Sequence, residues 1–128
     1  MFLVNVYLDR SPLEGIGVFA KQAIAKGTLI WRFDGRFDRL IPNEVWESTT
    51  GPVKDYLDRY CYPSRENPGH IVFEADDARY MNHSDAPNCD IADEKAVYAL
   101  KDIAAREELT CDYNHFFGDA GFEMLGER

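Results

Sequence analysis

Apolar and polar positions along the chain alternate in short bursts rather than in long helical stripes. β-prone runs occur at Val4–Leu8, Ile16–Ala20, Thr28–Phe33, His70–Phe73, Ala96–Leu100 and Leu109–Tyr113, with Gly, Pro, Asn and Asp clusters between them. Brief apolar runs bounded by turn residues predict strands, so the pattern predicts a mainly β domain. One stretch, Pro42 to about Tyr60, reads as helix, and Gly51-Pro52 divides it into two short pieces. Ala25-Lys26-Gly27 and Ala105-Arg106-Glu107-Glu108 read as turns leading into the strands at Thr28 and Leu109. No internal repeat, low-complexity tract or linker interrupts the pattern.

The chain has 128 residues, of which 45% are hydrophobic and 13% aromatic, enough for one folded domain with one core. Its apolar runs fall far short of the roughly 20 residues that cross a bilayer, and Met1–Asn5 lacks the basic flank of a signal peptide. The expectation is a soluble, intracellular protein, cytoplasmic or, in a eukaryote acting on chromatin, nuclear. Three cysteines, Cys61, Cys89 and Cys111, give neither a disulfide framework nor the four thiolates of an all-cysteine zinc site. The formal charge is −9: residues 90–128 carry ten acids against four bases, and residues 1–89 thirteen against ten. That balance disfavours direct binding of nucleic acid, which needs a cationic face. It leaves two readings open, acids that solvate the surface and acids that attract a basic protein partner.

Two segments carry candidate chemistry. Arg79-Tyr80-Met81-Asn82-His83-Ser84-Asp85-Ala86-Pro87-Asn88-Cys89 gathers polar side chains in an apolar neighbourhood, which is costly unless backbone or ligand pairs them. It reads as a ligand-binding crossing. Glu107-Glu108-Leu109-Thr110-Cys111-Asp112-Tyr113-Asn114 is a strand that delivers a tyrosine to its polar end. Upstream, Gly15-Ile16-Gly17 permits close backbone approach, and no helix follows it as a dinucleotide motif requires.

In this order, the segments resemble the SET-domain family of protein lysine methyltransferases over nearly the whole chain. Gly15-Ile16-Gly17-Val18-Phe19-Ala20 is similar to the family's Gly-x-Gly cofactor motif, and Phe33-Asp34-Gly35-Arg36 sits where the family has Tyr-x-Gly-Glu. Ala78–Ser84 with Pro87-Asn88 resembles Arg-Phe-x-Asn-His-Ser-Cys-x-Pro-Asn, and Glu107–Tyr113 resembles Glu-Glu-Leu-Thr-x-Asp-Tyr.

The resemblance implies a single SET domain over residues 1–128, with motifs within about 2–115 and a tail, 116–128, that closes the site. The implied fold is a β-clip-like set of small curved sheets with a C-terminal pseudoknot and one or two short helices. The implied activity is methyl transfer from S-adenosylmethionine, without metal, to a lysine in a basic context of a protein substrate such as a histone. By resemblance Gly15, Ile16, Gly17, Arg79, Asn82, His83, Tyr113 and Phe116 bind the cofactor. Tyr113 is catalytic, and Phe33, Tyr80, Cys111 and Tyr113 line the lysine channel.

Several positions depart from the family pattern. Asp85 replaces the cysteine after Asn-His-Ser and no cysteine follows Cys111, so a C-terminal zinc module is not expected. The tail His115–Phe122 offers three phenylalanines that either cover the site or plug the core. Phe33 lacks the motif hydroxyl, which keeps open a catalytically weak SET-fold module that binds cofactor or a protein partner. His70 and His115 read as ordinary histidines rather than metal ligands. A monomer, or a homodimer that completes the substrate groove, fits a domain of this size.

Overall fold

The computed structural model describes residues 1–114, which form three small sheets and two short helices. The first sheet has the order β1-β2-β10-β7 and comprises β1 (Val6–Arg10), β2 (Ile16–Ala20), β10 (Glu108–Cys111) and β7 (Asn82–His83). The second has β9 (Ala96–Ala99) between β3 (Leu29–Arg32) and β8 (Cys89–Asp93). The third has β6 (His70–Phe73) between β4 (Arg39–Pro42) and β5 (Tyr62–Pro63). A 3₁₀ turn at Asp77–Tyr80 precedes β7.

The mainly β expectation holds, and β2 has the bounds read from the sequence. Strands β4, β5, β7 and β8 were not among the predicted runs. Two of them have only two residues, too few for any period to register. Strand β4 ends in Pro42 at a sheet edge, where a residue that cannot donate to the ladder is tolerated. The helical stretch divides as predicted into α1 (Asn43–Ser48) and α2 (Gly51–Tyr60). Gly51 adopts φ +71° and Pro52 opens α2, where a missing N–H costs nothing. Trp46 ties the two helices: its Nε1 donates to Asp58 Oδ1 at 2.8 Å, and Lys54 Nζ sits 4.0 Å from its ring centroid.

The main core joins the first two sheets through Val18, Ile30, Trp31, Ile91, Ile103 and Leu109, all essentially inaccessible. Fully burying a side chain such as Leu109 or Val18 contributes about 1.5–3 kcal/mol. Strands β2 and β10 are therefore held rigidly, in the register Glu108↔Phe19 and Leu109↔Val18. Among the described residues no helix is long and apolar enough to cross a membrane.

Candidate active site

The two chemistry-bearing segments meet as a parallel strand pair, Thr110 opposite Asn82 and Cys111 opposite His83. The pairing continues through the Ser84 N–H, which donates to the Cys111 carbonyl at 3.0 Å. Asn88, only 4% exposed, fastens β10 from another direction. Its Oδ1 accepts from Thr110 N at 2.9 Å and its Nδ2 donates to the Glu108 carbonyl at 2.8 Å, so one side chain supplies both halves of a strand-like pairing.

Glu108 links three motifs. Its carboxylate accepts from Ser11 Oγ at 2.7 and 2.9 Å and from Asn82 Nδ2 at 2.9 Å. It lies over Gly17, where an added Cβ would stand 2.3 Å from Glu108 Oε2. The absence of a side chain at Gly17 thus makes room for Glu108. Asn82 Nδ2 also faces the carbonyls of Glu14 and Ile16, at 3.0 and 3.2 Å, and ties the glycine loop to β7.

Just beyond β10, the Tyr113 hydroxyl donates to the Met81 carbonyl, and the Tyr113 N–H donates to His83 Nδ1 at 3.0 Å. With Nδ1 accepting, a neutral His83 carries its proton on Nε2 and donates it to Asp85 Oδ1 at 3.0 Å. Asp85, whose side chain is 98% exposed, therefore steadies the His83 ring from solvent.

Two cavities meet at this crossing. An open cleft of about 260 Å³ is lined by the Glu14–Ile16 loop, Arg59, Tyr60, Arg79, Tyr80, Asn82 and Tyr113. A narrow, more enclosed void of about 20 Å³ lies behind it, with Trp31, Tyr62, Glu74, Glu94 and Cys111 in its wall. Tyr60, Arg79 and Tyr113 belong to both. Two acids of the void are buried: Glu94, 4% exposed, accepts from Ser64 Oγ at 2.6 Å, and Glu74 is 8% exposed. Burial pushes the Tyr62 phenol well above its ordinary range, so it stays protonated.

Gly15, Ile16, Arg79, Asn82 and Tyr113, singled out from the sequence, are thus gathered around one cleft, and Cys111 and Tyr113 around the void behind it. Tyr80 lines the cleft rather than the void. Phe33 lines neither and packs between two core clusters, beside Trp31 and Tyr62. Gly17 and His83 support the walls without lining either cavity, and Phe116 and His115 lie outside the described residues. Sequence reasoning missed Glu14, Arg59, Tyr60, Tyr62, Glu74 and Glu94. Tyr60 and Tyr62 had one signal, the Tyr60-Cys61-Tyr62 spacing at the end of the helical stretch, which also suits ordinary packing. His70 contacts the Pro68 carbonyl at 3.3 Å. Among the described residues no group of three or more His, Cys, Asp or Glu is placed to hold a metal ion.

The SET domain family profile matches residues 15–114, which include every element of this crossing. The chain belongs to the SET-domain family. This SET domain is 34% identical over 125 residues to human histone-lysine N-methyltransferase 2D, covering 90% of the chain and 2% of that protein. It is 29% identical over 134 residues to the putative histone-lysine N-methyltransferase 1 of Plasmodium falciparum, covering 95% of the chain and 2% of that protein. Among solved structures, it resembles a putative histone methyltransferase of Plasmodium falciparum with TM-score 0.62 and 25% identity, covering 88% of this chain and 95% of that one. It also resembles a humanized mutant of the Chaetomium thermophilum Polycomb Repressive Complex 2 bound to an inhibitor, with TM-score 0.65 and 27% identity over 91% of this chain and 16% of that one. The chain therefore spans a small fraction of the curated relatives it matches.

Proposed function

We propose that this SET domain is a protein-lysine N-methyltransferase that uses S-adenosylmethionine and acts on a lysine in a basic segment such as a histone tail. The observation that carries this reading is the sharing of Tyr113 between an open cleft and a narrow void lined by aromatic and acidic side chains. A cleft with two arginines, tyrosine rings and an accessible glycine backbone fits a nucleoside carrying an amino-acid tail. The wall of the void, with Glu74, Glu94 and Tyr62, suits a cationic head.

When bound, S-adenosylmethionine supplies a methyl group on a positively charged sulfur. The protein's task is to align it with an amine. Tyr113 commits its proton to the Met81 carbonyl, so towards a neighbour its oxygen acts as an acceptor that favours positive charge. Cys111 sets the width of the void beside it. The attacking amine must be neutral, whereas free lysine titrates near pH 10.4, so rates rise with pH below that value. Gly15, Ile16, Arg79, Asn82 and Tyr113 are the proposed cofactor contacts, with His83 and Gly17 holding that wall in shape. Phe116 is proposed to cover the site. The competing reading of a weak, binding-only module draws on Phe33, which lacks the motif hydroxyl and packs against the Trp31 and Tyr62 clusters behind the void's wall.

Incubation with heavy-methyl cofactor and a pool of lysine peptides, read by mass spectrometry, tests the proposal. Methyl transfer to basic peptides is expected, weakening as salt screens the attraction with a Debye length of about 8 Å at physiological ionic strength. S-adenosylhomocysteine should bind without added metal and in the presence of chelator. Cofactor binding with no transfer to any lysine would establish the binding-only module. Equal rates on acidic and basic peptides would assign the −9 charge to surface solvation alone.

A further inference from the structure

Asp85 departs from the family motif, and the function proposed above leaves it without a task. Its Oδ1 stands 3.0 Å from Nε2 of His83, two residues earlier in the chain. The other nitrogen of that ring, Nδ1, accepts the N–H of Tyr113 at 3.0 Å, and the two rings lie 5.4 Å apart, tilted by 51°. A relay of contacts therefore runs from an exposed carboxylate, through an imidazole that is 33% exposed, to the residue whose side chain borders both the cleft and the void.

The relay works with one arrangement of protons. The Tyr113 N–H is a donor, so Nδ1 must be bare, and a neutral ring then carries its proton on Nε2, where a carboxylate accepts it. The opposite tautomer sets donor against donor at Tyr113 and lone pair against carboxylate at Asp85. A doubly protonated ring also loses the Tyr113 bond. The charged groups that then face it are Asp85 at Nε2 and Asp112, whose Oδ1 is 3.7 Å from Nδ1 and already accepts from Asn114 N at 3.0 Å. In either case Tyr113 loses an anchor of its backbone just beyond β10.

We propose that Asp85 is a positioning residue: by holding the His83 proton on Nε2 it keeps Nδ1 as the acceptor that sets Tyr113 at the junction of cleft and void. The inference rests on the reading of Tyr113 as the group that aligns methyl and amine. Asp85 acts only through His83. Its side chain is 98% exposed, and exposed pairs add little to the stability of a fold, so its removal should disturb alignment without unfolding the chain.

Heavy-methyl transfer by the full chain to a basic lysine peptide, with calorimetry of S-adenosylhomocysteine and melting curves beside it, tests the proposal. Asp85→Ala should lower turnover by about twofold to fivefold, with peptide KM and S-adenosylhomocysteine affinity within about twofold and the melting curve unmoved. Asp85→Asn, whose amide oxygen still accepts from Nε2–H, should recover most of that loss. His83→Asn puts an oxygen near the place of Nδ1, whereas His83→Gln puts one near Nε2 and leaves the Tyr113 N–H unmet. The first should turn over about fivefold faster than the second. From about pH 8 down to about pH 6 the wild type should lose turnover relative to the non-titrating His83→Asn, a ratio in which the peptide amine cancels. Nitrogen NMR of the His83 ring needs no turnover and should show the Nε2–H tautomer in the wild type, with a larger share of Nδ1–H in Asp85→Ala. An Nδ1–H ring in the wild type, full turnover in Asp85→Ala, a pH-independent ratio, or a melting temperature that falls in step with turnover would each overturn the proposal. A wild-type chain with the Nε2–H ring that methylates no peptide would instead remove the catalytic reading of Tyr113, and this inference with it.

Discussion

At Tyr113 a hydroxyl and a backbone N–H are fixed by two different partners, Met81 and His83, on the neighbouring segment. Tyr113→Phe deletes the hydroxyl and keeps the ring and the N–H bond. If the phenol oxygen acts mainly on the transition state, turnover should fall by about tenfold or more with cofactor affinity held within a few-fold. Single-turnover rates beside calorimetry check this, and full activity in the variant would remove the catalytic role. Asn82→Ala acts differently, because Nδ2 holds the glycine loop and the Glu108 carboxylate at once. It should weaken S-adenosylhomocysteine by about tenfold to a hundredfold, equivalent to about 1.5–3 kcal/mol. A melting curve taken alongside separates loss of contact from loss of fold.

Strands β2, β7 and β10 are coupled through one carboxylate, and that coupling belongs to the elements rather than to any residue alone. Gly17→Ala would bring a methyl to 2.3 Å from Glu108 Oε2, so the Glu108 carboxylate must shift from the position in which it accepts from Ser11 and Asn82. The variant should lose about 1–3 kcal/mol of stability, in the range of an overpacked site. Glu108→Ala in the same chain opens the space that the new methyl needs. A double-mutant cycle by urea melts should show coupling of about 1 kcal/mol or more between the two sites, and simple additivity would sever the proposed link. The glycine motif was legible in the sequence, but this reason for its second glycine was not. Positions 17 and 108 are 91 residues apart, and nothing local records that they share space. The short strands escaped for a related reason: β7 exists because β10 offers it a parallel edge, and its two residues carry no period of their own.

Over the whole molecule, two buried acids contribute to the alkaline limit of stability. Burial raises the Cys89 thiol from 9.0 to about 12 and pushes Tyr62 well above its ordinary 10.0. Both groups keep their protons in the folded chain at a pH where the unfolded chain gives them up. Stability from this source is therefore complete below about pH 9 and declines as pH rises towards about 12. Thermal melts between pH 7 and 11 should show the fall beginning near 9.0, and Cys89→Ala should make it shallower. A flat profile in the wild-type chain would rule this out. Asp34 marks the acid side: the Arg36 side chain holds its carboxyl down from 3.8 to about 2, so that contribution is complete above 3.8 and is lost as pH falls through about 2.

The sequence by itself determined the mainly β class, the broken helix, the family and the two segments proposed to carry the chemistry. Each of these is local: a run of alternating residues, a Gly-Pro break, or a motif whose residues stand close together. The tertiary structure decided what meets what. It brought Arg59 to Glu14, packed Phe33 against the Trp31 and Tyr62 clusters, and placed Tyr60, Tyr62, Glu74 and Glu94 in one cavity wall with Tyr113. Those placements follow from a parallel pairing between strands almost 30 residues apart and from a buried asparagine that fixes it. Contacts closed over such distances depend on the packing of the whole core, which no window of the chain encodes.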